Sequence, residues 1–113
     1  MTKNIGSTRY FSSKQEKRVA KSLGGKRTAN SGALDFFKGD INIKDWLLEC
    51  KTCMKDKDSF SIKKEWLLKL KEESFAMNKS YNALVFNYGP DQENYYIINE
   101  KLFKQLIDFL ANF

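Results

Sequence analysis

Between Trp46 and Cys53 the chain reads WLLECKTC, and two chemistries overlap in that string. Glu49 and Lys51 stand two apart in a stretch with the character of a strand. Alternate side chains of a strand share a face, so Glu49 and Lys51 point one way while Leu48 and Cys50 point the other. A carboxylate beside an ammonium is expensive to take out of water unless the pair serves a metal or a phosphate. The plain alternative is a solvent-facing ion pair on an edge strand. Cys50 and Cys53 meanwhile form a C-x-x-C. A structural zinc site needs four ligands, and the chain has two cysteines and no histidine. A redox C-x-x-C usually opens a helix, where the dipole lowers the thiol pKa. Cys50 instead sits in a strand beside an acid and reads as a small core residue.

Asp40 strengthens the Glu–Lys reading. It lies on a stretch, Lys38–Ile43, that alternates like a short strand, and Lys44-Asp45 is a tight link to Trp46–Lys51. Two strands so closely joined predict an antiparallel hairpin, which would bring Asp40 toward Glu49. Two hard oxygen ligands plus waters suit Mg²⁺, with Mn²⁺ expected to substitute. A lysine nearby can orient water or offset charge on a phosphoryl oxygen. Glu16 is the third acid. It has two readings: the last member of a capping box, Ser13-x-x-Glu16, or a carboxylate on the buried face of its helix. Other constellations are missing. Without histidine there is no Ser-His-Asp triad, and no G-x-x-x-x-G-K-[ST] phosphate loop occurs.

The elements that must position these residues follow from periodicity. Ser12 or Ser13 is expected to cap a helix ending at Leu23, stopped by Gly24-Gly25. Glu16, Val19, Ala20 and Leu23 form one face of it. Residues 26–38 read as irregular. Ser61 is expected to cap a helix over Ile62–Ser74. Tyr81–Asn87 and Tyr95–Asn99 read as strands around a Gly89-Pro90-Asp91 turn. The last helix, Glu100–Phe113, has an apolar stripe too wide for one small core, which makes it a candidate dimer interface as much as a core helix. The predicted fold class is α/β (α+β-like): a mixed sheet flanked by helices in one domain, residues 1–113, with 1–11 a flexible basic arm.

The chain is 113 residues long, 42% hydrophobic and 30% charged, with a net charge of +6. The excess is local. Lys3, Arg9, Lys14, Lys17, Arg18, Lys21, Lys26 and Arg27 face a single acid, Glu16, within residues 1–27, whereas the rest of the chain is close to neutral. Such a segment points to a polyanion, most often nucleic acid. Arg9, Lys14, Lys17, Arg18, Lys21, Lys26 and Arg27 are the expected DNA-backbone contacts. No run nears the ~18 apolar residues of a membrane span, and MTKNIGSTRYF lacks the apolar core of a signal peptide. A soluble, cytoplasmic protein with free thiols is expected.

The ordered set Ser13-x-x-Glu16, NSGA (Asn30–Ala33), KGD (Lys38–Asp40), WLLECKT (Trp46–Thr52) and SFSIKKEWLLKLKEES (Ser59–Ser74) resembles the PD-(D/E)-x-K nuclease superfamily. Within it, the set is most similar to archaeal-type Holliday junction resolvases and their small phage-encoded relatives, over residues 12–90. The resemblance implies a restriction-endonuclease-like sheet and Mg²⁺-dependent hydrolysis of DNA by homodimers that nick four-way junctions in pairs. It implies catalytic roles for Glu16, Ser31, Asp40, Glu49 and Lys51, with Asp40, Glu49 and Glu16 toward the metal. Gly39 stands where the superfamily name has proline, and Asp35 is an extra acid that could replace or supplement Asp40. Another structure-selective or nonspecific nuclease of the superfamily would share every one of these residues. A DNA-binding module without catalysis would keep the basic segment and not need Glu49 or Lys51.

Overall fold

The structure, a computed structural model, describes residues 8–27 and 40–113. Helix α1 (Thr8–Leu23) is followed by β1 (Lys26–Arg27), β2 (Ile41–Ile43), β3 (Trp46–Lys51), α2 (Lys64–Ala76), β4 (Tyr81–Phe86), β5 (Tyr95–Ile97) and α3 (Glu100–Ala111). The strands form one mixed sheet in the order β1-β2-β3-β4-β5. The first three are antiparallel, β3 and β4 run parallel, and β5 returns antiparallel. A parallel pair needs a crossover, and α2 supplies it.

The hairpin expected from Lys44-Asp45 is present, with Ile41 paired to Leu48 and Ile43 to Trp46. Lys44 closes it at φ +48, and the Lys79 ammonium donates to the Lys44 carbonyl at 2.6 Å. Pleat alternation then divides the core between two faces. Ile41, Leu48, Cys50, Ala83 and Val85 pack under Val19 of α1. Leu47 and Leu84 pack under Leu70 of α2. Strands buried on both faces read as near-continuous apolar runs, which is why Tyr81–Phe86 is the most apolar strand in the sequence.

Several boundaries differ from the sequence reading. Helix α1 begins at Thr8, so residues 8–11 are helical and Ser13 lies inside the helix, where it cannot cap. Its C-terminus does stop at the glycines. Gly24 takes φ +73, and the Gly25 amide donates back to the Ala20 carbonyl at 3.0 Å, a Schellman-type closure. A Cβ on Gly25 would lie 2.2 Å from the Ile43 side chain, so glycine lets the chain pass tightly onto β2. Pairing with Ile41 and Asn42 makes a strand of Lys26–Arg27, a dipeptide with no strand propensity. Helix α2 starts two residues late, after an extended Lys63 without a side-chain cap. Ile62 packs on the Leu47–Leu70–Leu84 cluster and the Phe60 ring stacks 5.3 Å from Phe86. These contacts hold residues 60–62 outside the helix that Ser61 would otherwise open. Asn99 caps α3 through Leu102 N–H at 2.8 Å.

Among the described residues no helix is long and apolar enough to cross a membrane. Leu84 is fully buried beneath α2. Leu84→Ala should cost about 2–5 kcal/mol, read as a lower urea midpoint at unchanged m-value. An effect below about 1 kcal/mol would mean that α2 does not seal this face.

Candidate functional site

The site begins with the hairpin register. One step beyond the Ile41–Leu48 pair, Asp40 stands against Glu49. The Asp40 amide donates to the Leu48 carbonyl at 2.9 Å, and its carboxylate Oδ2 accepts the Cys50 amide at 2.7 Å. The backbone of β3 therefore grips Asp40 from both ends. Its carboxyl also hydrogen-bonds that of Glu49. Since Leu47 faces α2, pleat alternation sends Glu49 and Lys51 to the same face. Leu48 and Cys50 face α1, as the alternation predicted.

Two half-buried carboxylates held together resist ionising together. Burial, then the charge of Asp40, pushes Glu49 up to about 8, against the opposing pull of Lys51. Asp40 is raised as well, by burial, although the Cys50 amide and Glu49 both act to lower it. Lys51 Nζ lies 3.9 Å from Glu49 Oε1 and 4.6 Å above the ring centre of Trp66. Beside them opens a cavity of about 500 Å³, lined by Glu49, Lys51, Trp66, Lys69, Glu72 and Glu73. Glu73, buried on α2, raises Glu49 further.

The remaining sequence candidates separate. Glu16 accepts Arg27 at 3.1 and 3.2 Å. Burial and the charge of Asp40 raise its pKa, while Arg27 opposes. Arg27 thus pairs within the chain at its surface, as does Lys14 with Asp91 at 2.9 Å, and Arg18 donates to the Gln92 carbonyl. Arg9, Lys17, Lys21 and Lys26 are exposed. Ser31 and Asp35 lie outside the described residues. Cys50 and Cys53 are buried free thiols. Burial and the charges of Asp40, Glu16 and Glu49 drive the Cys50 thiol upward, which is the opposite of thiolate activation.

Three supporting residues were missed. Glu73 and Trp66 fall within the helix expected over Ile62–Ser74, with no part in the site assigned to them, and the packing of α2 on the sheet brings them to the cavity. Gln15 is the third. It is buried, and its amide donates to the Lys51 carbonyl at 2.8 Å. Asn87 accepts Thr52 Oγ1 at 2.7 Å and donates to Asn94 at 3.1 Å. This network pins the end of β3 immediately beyond Lys51. Nothing in local spacing distinguishes a buried helix glutamine from an exposed one.

Among the described residues, no three histidine, cysteine or acid side chains converge to cage a metal by themselves. Two carboxylates do meet, and Mg²⁺ is commonly bound by one or two carboxylates, with waters and phosphate oxygens filling the octahedron. The hard, half-buried Asp40–Glu49 donor pair fits that mode. Comparison of the chain with protein-family models, curated proteins and solved structures finds no match.

The raised Glu49 pKa sets a direction for stability. Between its ordinary 4.5 and about 8, the folded state holds a proton that the unfolded state has lost, so stability falls as pH rises across that window. Asp40 and Glu16 act in the same direction. Melting temperature should drop from pH 5 to pH 8, and Glu49→Gln should shrink that drop. An equal drop in both proteins would rule out a Glu49 that keeps its proton in the folded state.

Proposed function

We propose that this protein is a metal-dependent DNA endonuclease of the PD-(D/E)-x-K type that nicks four-way junctions. The observation that carries the reading is the convergence of Asp40, Glu49 and Lys51 on one face of the hairpin, beside an open cavity. The order helix, antiparallel hairpin, crossover helix, parallel strand supports a restriction-endonuclease-like core, with the acid-lysine set on its central strand. The cations on α1 and β1 support a polyanionic substrate.

Asp40 and Glu49 would hold Mg²⁺, which when bound supplies a water of lowered pKa and polarises a phosphoryl oxygen. A bound cation would favour the ionised pair, and the Glu49 proton would pass to solvent through the open cavity that Glu49 lines. The Cys50 amide keeps Asp40 aimed at Glu49 throughout. Lys51, steadied over Trp66, presents its ammonium to the charge that develops on the phosphoryl group. Gln15 holds the Lys51 backbone so that this reach does not drift. Exposed Arg9, Lys17, Lys21 and Lys26 contact the phosphate backbone, positioning DNA without reading its sequence. Ser31 keeps its role at the phosphate through the resemblance alone.

Cleavage of a four-way junction and of linear duplex of the same sequence, each with Mg²⁺ and with EDTA, tests the proposal. Paired symmetric nicks are expected in the junction, only with metal. Glu49→Gln and Lys51→Ala should each reduce the rate by roughly 10²–10³ while leaving junction binding in EDTA intact. Equal cutting of junction and duplex would keep the nuclease and remove the junction preference. Binding without cleavage, unaffected by either substitution, would instead make the protein a DNA-binding module.

A further inference from the structure

Helix α2 borders two cavities, and their charges are opposite. Beside Glu49, four glutamates stand against Lys51 and Lys69. The second cavity, of about 370 Å³, opens where the end of α2 meets the start of β4 and the first turn of α3. Lys71, Lys79 and Lys101 line it, and among the described residues no acid does. It lies toward the other end of the sheet from Lys51. Asn82, at this cavity, pairs with Leu47, whereas Lys51 pairs with Phe86. At ~3.3 Å per residue, that is roughly 13 Å along the strands.

Like charges gathered in one recess repel unless something offsets them. None of the three ammonium groups forms an ion pair with a described residue. Lys79 is nonetheless held in place. It is half-buried, and its Nζ donates to the Lys44 carbonyl at 2.6 Å. That bond anchors the ammonium at the hairpin turn and leaves two of its three donors for another acceptor.

Phe75 supplies the second part of the site. It lies in the last turn of α2 and is 88% exposed. A single apolar residue on an open surface is ordinary, but this ring lines the same cavity as the three lysines. Cations beside an exposed aromatic match a phosphate joined to a flat base, since cations follow a nucleic-acid backbone and aromatic rings stack on its bases. In a duplex those base faces are covered by stacking, so the match is to an unpaired nucleotide. Phosphopeptide recognition relies on arginine clusters, and among the described residues no arginine lines this cavity.

We propose that this cavity binds an unpaired nucleotide, its phosphate against Lys71, Lys79 and Lys101 and its base against Phe75. Ser80 and Asn82, also in the lining, offer hydrogen bonds to either part. An unpaired strand and a free nucleotide share this chemistry. None of these residues belongs to the basic segment of residues 1–27. The inference requires nothing of Asp40 and Glu49 and holds whether or not the protein cleaves DNA.

The test follows backbone amide shifts of the full chain in EDTA, where metal-dependent cleavage is silent. One titration uses an oligothymidylate of about 8 nucleotides, within the ~4–16 that one binding fold occupies. A second uses thymidine 5′-monophosphate. The amides of Phe75, Ser80 and Asn82 should move. Equal affinity for both probes would identify the ligand as a nucleotide, and tighter binding of the oligonucleotide would identify it as a strand. Phe75→Ala should weaken binding at these amides by roughly 5- to 150-fold, the worth of one base–aromatic stack, and Phe75→Trp should retain it. Both variants should melt like the parent, because the ring is exposed. Lys71→Ala combined with Lys101→Ala should weaken binding and flatten its salt dependence. Shifts confined to residues 8–27 would overturn the proposal, as would a Phe75→Ala protein that binds as tightly as the parent. So would a phosphoserine peptide that moves the cavity amides when neither nucleotide probe does.

Discussion

Across the β2–β3 hairpin, Asp40 and Glu49 face each other half-buried, and the charge of Asp40 adds to burial in making Glu49 resist ionising. Placing two carboxylates together is unfavourable in a folded protein unless the surroundings impose it. Here the imposition is mechanical. The Cys50 amide grips Asp40, the Ile41–Leu48 pairing fixes the register, and the apolar layer under Val19 holds both strands in place. A one-residue slip would turn Glu49 into that layer and Cys50 out of it. The core on the α1 face and the polar pair on the α2 face therefore specify each other.

The helices complete this arrangement from opposite sides. Helix α2 seals Leu47 and Leu84 with Leu70 and, on either side of it in the helix, brings Trp66 under Lys51 and Glu73 toward Glu49. Helix α1 supplies Val19 to the core and Gln15 to the Lys51 carbonyl. Its Glu16 is balanced by Arg27 of β1, so the acid nearest the pair from this side is already neutralised. Glu49 and Glu73 line the cavity together with Lys51, and Asp40 stands opposite Glu49 across the hairpin.

Much of this was readable in the order of residues. Two apolar strands around Lys44-Asp45 imply the hairpin, Gly24-Gly25 implies the end of α1, and the E-x-K alternation implies a shared face. Failures occurred where a distant contact outweighed a local signal. Ser13 satisfies a capping box but lies inside a helix that begins at Thr8. Ser61 could open a helix, yet Phe60 and Ile62 are drawn to the sheet and keep the chain extended. Lys26–Arg27 becomes a strand solely because β2 offers it an edge. Leu23, placed on the apolar face of α1, stands 45% exposed at the rim of an apolar groove beside α3.

What the sequence determined by itself is what short-range geometry controls. Strand side chains alternate with a period of two, so Glu49 and Lys51 had to share a face and Cys50 had to leave it, whatever else the chain did. Tertiary structure alone decided which groups meet that face. That Asp40 lies opposite Glu49, that Arg27 occupies Glu16, that Glu73 and Trp66 reach the cavity, and that α3 keeps its apolar face in water all depend on pairings between residues far apart in the chain. Such pairings are selected by the burial of whole layers, and no window of neighbouring residues contains that information.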